Sequence, residues 1–426
     1  MMKTMSNNLI QPVKGTRDFY PEDQAFQNWL SSKFKEVAEL FGFQEYEGPI
    51  IESLDLYAAK SGEELVKKQA FTLKDQSENI LALRPEMTPT LARMVAQKAG
   101  ELTFPVKWFN FGRRFRYEKP QKGRSREFFQ WDVDILGPEN LEADAEVIAI
   151  AATLFQKLGL TPQEVKIKIN DRQLLQERFL SLQIPEQKII ETFRLADKKD
   201  KVSRQDFIEM GKEIGLTEDQ AKSILQILDE KNAFLDSPWL VKIFELLKRY
   251  GVTEYAEYDP SIVRGLEYYT RTVFECWDSK KKFRAIGGGG RYDNLVELVG
   301  GKQKIPGVGF AIGDMVLTEV LAANNKYPSL PANKTKVLVT VFSPELYDKS
   351  LEIADKLRER NINTEVYLDP SAKMEKQLKY ADRKTIPYVL IIGPVESVEN
   401  TIVIKNMSSG EQKTVPESEI FSVIKT

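Results

Sequence analysis

The stretch 116-RYEKPQKGRSREFFQWDVDILG-137 decides how this chain of 426 residues is read. Its first eleven residues carry Arg116, Lys119, Lys122, Arg124 and Arg126, and its second half alternates polar with apolar side chains. Alternation at period 2 marks a strand with one wet and one buried face. Gln130, Asp132 and Asp134 fall on the first face, and Trp131, Val133 and Ile135 on the second. From Lys107 to Arg126 the chain holds eight Lys or Arg and a single acid, Glu118. Two readings fit this charge. A basic hairpin tip commonly sits in water. Arginines that continue into a strand suit a bound anion instead, because each presents a rigid fork of donors to phosphate or carboxylate. The same period places Arg114, Arg116 and Glu118 on one face. Gln130 and Asp134 then stand about 13 Å apart along the strand, enough for a small ligand between them.

Composition narrows the chemistry. The chain is 42% hydrophobic and 29% charged with a net charge of −2, as in soluble globular proteins of two or three domains. Any nucleic-acid partner must be met by local patches of charge. No run approaches the roughly 18 apolar residues of a membrane span, and the N-terminal MMKTMSNNLIQPVKG lacks a signal-like apolar core. Cys276 is the single cysteine, so internal disulfides and thiolate metal clusters are excluded and a reduced, cytoplasmic compartment is expected. There is no histidine. That removes Ser–His–Asp catalysis, histidine-ligated zinc and imidazole proton shuttles. Carboxylates, Lys, Arg, Tyr, backbone amides or an oxygen-held metal must do the work.

Along the chain, helical spacing predicts a helix over 24–41 ending at Gly42. Residues 46–57 read as an extended segment broken by Pro49, and 71–74 with 80–83 as a hairpin around a polar turn. Thr88-Pro89 reads as a helix N-cap and first residue, with the helix running to about Gln97. Strands are predicted over 105–117 and 128–136, and a helix over 142–157. Residues 171–250, rich in Lys, Glu, Gln and Leu, read as a helical insert. Strand signals return over 268–277, 283–298 and 307–322. Adjacent Tyr268 and Tyr269 in a strand would face opposite ways, leaving at least one in the core. The run Gly287–Gly290 reads either as a bulge before a helix or as a place of close backbone approach; it matches neither G-x-G-x-x-G nor a P-loop. A Pro-containing linker near 326–335 precedes alternating strands and helices, which give a small α/β domain over 336–426.

At this point several segments together resemble the class II aminoacyl-tRNA synthetases, and among them the histidyl-tRNA synthetase family. The opening stretch resembles motif 2, YEGPIIESLDLY motif 1, and PVKGTRDFYPED the N-terminal signature. LRPEMTPTLAR resembles the amino-acid-binding loop. VRGLEYYTRTVFE and GGGGRYDNL resemble the two histidyl signatures, and KQLKYADRKTIPYVLIIG the anticodon-binding domain. The resemblance implies an α+β catalytic domain on a mixed, largely antiparallel sheet over 1–170 and 251–325, the helical insertion over 171–250, and the C-terminal α/β anticodon-binding domain. It implies activation of L-histidine with ATP and Mg²⁺, transfer to tRNA(His), and a homodimer built through motif 1.

By match to the family, Arg116 and Arg264 are the catalytic pair on the α-phosphate. Glu86, Met87, Thr88 and Gln130 hold the amino acid, with Glu86, Thr88 and Gln130 on its α-amino group. Asp134, Tyr268 and Tyr269 read the imidazole. Arg116, Glu118 and Arg124 meet ATP, and no residue is implied as a resident metal ligand. Lys119 and Gln121 approach the tRNA acceptor end, and Lys376, Lys379 and Lys384 the anticodon side. Two positions depart from the pattern: Phe129 stands where histidine is common, and Val316 stands where motif 3 ends in an ATP-contacting arginine. Arg124 is the expected substitute for that arginine. The alternatives are a non-catalytic paralogue that senses histidine as a regulatory subunit, and a tRNA-binding module.

Overall fold

The computed structural model describes residues 10–58, 69–264 and 268–424. They form two compact units, residues 28–328 with those before 19, and residues 329 onward with 19–27. In the first unit, β1 (Gln44–Glu45) and β2 (Ile51–Ser53) come first, then β3 (Phe71–Lys74) and β4 (Ile80–Leu83) as the predicted hairpin. β5 (Val106–Phe115) and β6 (Glu127–Leu136) flank the basic loop. They are followed by β7 (Val165–Asp171), β8 (Ala256–Tyr258), β9 (Thr272–Asp278), β10 (Gly287–Arg291) and β11 (Gly307–Gly313). Eight of these make one sheet in the order β1-β5-β6-β11-β10-β9-β7-β8. Only its edge pairs, β1 with β5 and β7 with β8, are parallel.

One face of this sheet is apolar across its width. Register aligns Phe109, Val133, Phe310, Gly289, Phe274 and Ile169 in one row, and Phe111, Trp131, Ile312, Gly287, Cys276 and Ile167 in the next. Phe34, from the helix Pro21–Leu40, stacks on Trp131 at 4.8 Å between ring centroids and tilts against Phe111 at 5.1 Å. The helix Leu141–Lys157, buried through most of its middle, covers the same side. Its Asp144 pairs with Arg291, and both side chains are out of solvent. Arg291 also donates to the carbonyls of Pro138 (3.0 Å) and Asn140 (2.9 Å), which satisfies a charge that would be costly to bury alone.

The helical insert has its own core. Helices Arg172–Ser181, Ile189–Ala196, Arg204–Glu213 and Glu218–Ile227 gather around Phe179, Phe193, Phe207 and Ile224. Side-chain caps start three of them: Asp171 accepts from Gln173, Ser203 from Asp206, and Thr217 forms a capping box with Gln220. A fifth helix, Pro238–Arg249, packs instead on Leu141–Lys157.

Several sequence expectations change. The segment 46–57 is not extended throughout, because Leu54–Ala58 is a short helix. Thr88 is not an N-cap: Met87 holds that place, without a side-chain cap, and Thr88 begins the helix Thr88–Lys98. The sequence pattern does not mark β7 or β8, and β9 begins only at Thr272. The glycine run is not a bulge before a helix but strand β10, paired on both sides within the 283–298 strand signal.

The second unit carries β12 (Val337–Val339), β13 (Thr364–Val366), β14 (Tyr388–Ile391), β15 (Thr401–Asn406) and β16 (Gln412–Pro416), in the order β13-β12-β14-β15-β16. β12 is parallel to both neighbours, and β15 and β16 are antiparallel additions. Val337, Val339, Ile353, Leu357, Leu390 and Ile404 form its core beneath the helix Tyr347–Glu359.

Candidate active site

The other face of the eight-stranded sheet is built for polar contact. Register aligns Asn110, Asp132, Ala311, Gly288, Glu275 and Lys168 in one row. Gln130 and Gly112 stand on one side of that row, and Asp134, Gly309, Gly290 and Val273 on the other. The glycines make room for large functional side chains. A Cβ on Gly288 would fall 2.1 Å from Nη1 of Arg264, and one on Gly290 2.8 Å from the Tyr269 ring. A Cβ on Gly309 would fall 1.9 Å from the Asp134 carboxylate, and one on Gly307 2.3 Å from the Tyr292 ring. Every one of these contacts is closer than real Cβ atoms approach. β10 and β11 are therefore a floor kept low by missing side chains.

Above that floor Arg264, Tyr268 and Tyr269 come together, and Tyr292 links them to Asp134. Arg264 Nη1 lies 3.4 Å from Glu275 Oε1, and its guanidinium carbon lies 5.7 Å from the Tyr269 ring centroid. Tyr268 and Tyr269 do not face opposite ways. They precede the strand, their ring centroids are 4.5 Å apart, and the two hydroxyls are 3.4 Å apart. Tyr292 stands 6.1 Å from Tyr268 and donates to Asp134 Oδ1 at 2.5 Å. Burial pushes the phenols of Tyr268, Tyr269 and Tyr292 up, and nearby carboxylates add to this, Glu86 for the first two and Asp134 for the last. All three stay protonated and can donate. Tyr46, buried beside Asp134 and Asp132, has a hydroxyl with no hydrogen-bond partner among the described residues. The amide oxygen of Gln130 is likewise unpartnered. Met87 is fully buried in the apolar cluster with Tyr46 and Leu91, while Thr88 is partly exposed at the helix start.

Arg116 enters from the loop side. Strand β5 ends at Phe115, so Arg116 and Glu118 do not continue the face of Arg114 as period 2 suggested. Arg114 is instead a structural ion: fully buried, it meets Asp132 at 2.7 Å and Asn110 at 2.6 Å. Burial pushes the Asp132 carboxyl up against the opposing pull of Arg114. Arg116 donates through Nε to the Pro85 carbonyl at 3.0 Å, next to Glu86, and lies 5.3 Å from the Phe128 ring. Phe128 and Gly288 are separated by four residues along the sheet and two strands across it. That is roughly 13 Å by roughly 10 Å, a gap that two arginine side chains can lean into from opposite ends.

The loop between β5 and β6 is held in place. Ser125 Oγ and the amide of Arg126 both donate to the Gly15 carbonyl, at 2.5 and 2.8 Å, and Gly15 itself has φ +87°. Arg124 pairs with Glu118 at 2.9 Å. Arg284, not singled out in the sequence, stands close enough to Arg124 that burial and this repulsion lower its pKa. Val316 lies against the loop, 3.2 Å from where a Cβ on Gly123 would sit. Asp314, beside it, accepts from Arg17 at 2.8 Å and from the Phe129 amide at 3.0 Å. Lys119 and Gln121 lie exposed at the loop tip.

In the second unit a cavity of about 470 Å³ is lined by Tyr347, Arg358, Glu365, Tyr367, Asp369 and Tyr380 among others. Lys376 lies 3.5 Å from Asp369, Lys379 pairs with Glu375 at 2.6 Å, and Lys384 lies 5.9 Å from the Tyr380 ring. Among the described residues no group of three or more acidic or Cys side chains is arranged to hold a metal ion.

A mixed sheet with a helical insertion, a polar face framed by two arginines, and a separate α/β unit define an aminoacyl-tRNA synthetase of class II. Residues 15–315 match the family model described as histidyl-tRNA synthetase, and residues 336–426 match the model described as anticodon binding domain. The chain belongs to the histidyl-tRNA synthetase family. It is 37% identical to a histidine–tRNA ligase of Leptospira biflexa, over 97% of this chain and 96% of that one. It is also 37% identical to a histidine–tRNA ligase of Pyrococcus horikoshii, over 98% and 99%. Its fold is similar to the crystal structure of histidyl-tRNA synthetase from Nostoc sp. PCC 7120, with a TM-score of 0.79, 26% identity, and coverage of 97% of this chain and 98% of that one.

Proposed function

We propose that the chain is a histidine–tRNA ligase that activates L-histidine with ATP and transfers it to the 3′ end of tRNA(His). One observation carries the reading of the site: Arg264, Tyr268, Tyr269 and Asp134 meet over the glycine floor, and Arg116 is tied to the segment that bears Glu86. In the first step a histidine carboxylate oxygen bonds to the α-phosphorus and the bond to pyrophosphate breaks. No side chain need lose a proton or form a covalent bond, so catalysis rests on positioning and charge. Arg116 and Arg264 take up charge on the α-phosphoryl oxygens from the two ends of the gap. Glu86, Thr88 and Gln130 hold the α-amino group, with Met87 packing beneath them. Asp134, oriented by Tyr292, and the Tyr268–Tyr269 pair recognise the two imidazole nitrogens. A pocket that hydrogen-bonds its substrate rejects analogues lacking those groups by about 10⁴–10⁵.

Glu118 meets the adenine side, and Arg124, with Arg284 beside it, faces the ATP phosphates in place of an arginine at 316. Mg²⁺ arrives on the phosphates of ATP as part of the substrate. Lys119 and Gln121 face the tRNA acceptor end. Residues 336–426 serve the anticodon, with Lys376, Lys379 and Lys384 on its phosphate side. We place the enzyme in the cytoplasm as a homodimer built through motif 1. Ile50, Ile51 and Ile80, exposed by 48%, 45% and 49%, support an interface there. Val316 is the observation that favours a non-catalytic regulator or tRNA-binding module; Arg116 and Arg264 together weigh against both. The deciding assay supplies ATP, Mg²⁺, tRNA(His) and each amino acid in turn. Charging with histidine alone supports the assignment, and failure to charge, or better charging with another amino acid, removes it.

A further inference from the structure

Arg264 owes its place to a residue that no motif marks. Its backbone has φ +49°, a left-handed conformation disfavoured for any residue with a Cβ, so its surroundings must impose it. Those surroundings come from the first helix of the insert. Arg172, directly after β7, donates through Nη1 to the carbonyls of Val263 (2.9 Å) and Arg264 (3.2 Å). One residue before β7 ends, Asn170 donates to the carbonyls of Pro260 (3.1 Å) and Ile262 (2.9 Å). The segment before Arg264 is thus hung, carbonyl by carbonyl, on the end of β7.

The same guanidinium faces the insert. Its central carbon lies 4.2 Å from the ring centroid of Phe193, a buried member of the insert's core. Val263, 1% exposed, belongs to that core too, although every other buried residue in it lies between Leu175 and Leu228. Arg264 therefore follows immediately on a residue packed into the insert, and its own carbonyl is held by an arginine packed on the insert.

We propose that Arg172 is a positioning residue for Arg264, and that through Arg172 and Val263 the helical insert sets whether the Arg264 guanidinium stands over Gly288. The inference rests on the catalytic role assigned to Arg264 above. It adds that the insert is coupled to amino-acid activation through two adjacent carbonyls.

The test is histidine-dependent ATP–pyrophosphate exchange in the full-length protein, with kcat and both KM values measured for wild type, R172A, R172K, F193L, R264A and the double variants with R264A. Wild-type exchange that falls in R264A secures the underlying role; its absence removes that role without reference to Arg172. With it secured, R172A lowers kcat by about tenfold or more at nearly constant KM for histidine and ATP, and R172K recovers part of the loss. In the R264A background neither R172A nor F193L lowers kcat by more than about twofold, because the group they position is gone. Losses that multiply in the double variants, or an R172A effect confined to KM, overturn the proposal. F193L keeps the insert's core apolar, so it carries the same comparison if R172A does not fold.

Discussion

The two faces of the eight-stranded sheet are drawn from the same strands and could hardly differ more. On one, Trp131, Phe310, Phe274 and Ile312 are buried to 4% exposure or less, and Phe310 packs against both Trp131 and Phe274. On the other, glycines alternate with Asp132, Asp134, Gln130 and Glu275, and the space left is filled by the Asp134 carboxylate and by arginine and tyrosine side chains from outside the strands. The first face is paid for once, by burial, and holds the strands in register. The second uses that rigidity: with the backbone fixed, a missing Cβ at Gly288 or Gly309 becomes room for a guanidinium or a carboxylate. Side chains on adjacent residues of β6 thus alternate between the buried apolar face and the polar face, where Asp132 serves the structural ion Arg114.

The sharpest way to break this contrast is to change one face and watch the other. Arg264→Ala should lower kcat of histidine activation by about 10³-fold, the low end of what an arginine on a transferring phosphoryl group supplies, with little change in the thermal midpoint. Trp131→Ala, on the opposite face, should cost about 3–5 kcal/mol in denaturant unfolding while the folded fraction keeps its KM for histidine. If the two variants gave the same mixture of lost stability and lost activity, the division between faces would be wrong.

Asp134→Asn sharpens the comparison within the polar face. It keeps the shape and a hydrogen bond from Tyr292 but removes the charge, and should raise KM for histidine by about tenfold to a hundredfold with KM for ATP unchanged, as steady-state kinetics would show. The smallest effect concerns Cys276, on the apolar face and buried, where burial pushes the thiol well above its ordinary pKa. At pH 8 it should remain protonated and react with a disulfide reagent only when the protein is unfolded. Fast labelling of the native protein would mean that the apolar face opens.

Much of this was legible in the sequence, and the illegible part has physical reasons. The alternation through Gln130–Ile135 marked β6 as a strand and gave the sides of its residues, and the hairpin of β3 and β4 fell where its turn residues placed it. β10 falls inside the strand signal of 283–298, but the role of its glycines was not legible, because what each missing Cβ makes room for, Arg264 at Gly288 and Tyr269 at Gly290, comes from outside the strand. Arg114 and Arg116 look alike in sequence. Only the end of β5 at Phe115 separates Arg114, a buried structural ion, from Arg116, for which a place on the phosphate is proposed. Tyr268 and Tyr269 carry a strand-like pattern, yet they lie before β9, where alternation does not hold. Tyr292 lay inside a recognised signature, but its bond to Asp134 joins residues far apart in the chain. Asp134 on the ligand face could have suggested that such a partner exists.

Histidine activation on the polar face is the property on which every role proposed for its residues depends. Exchange of labelled pyrophosphate into ATP, measured with each amino acid in turn, tests it most directly. Incorporation with L-histidine, lost in both the Arg116→Ala and Arg264→Ala proteins, is the predicted result. Exchange that ignores histidine, or that survives in both variants, would contradict it.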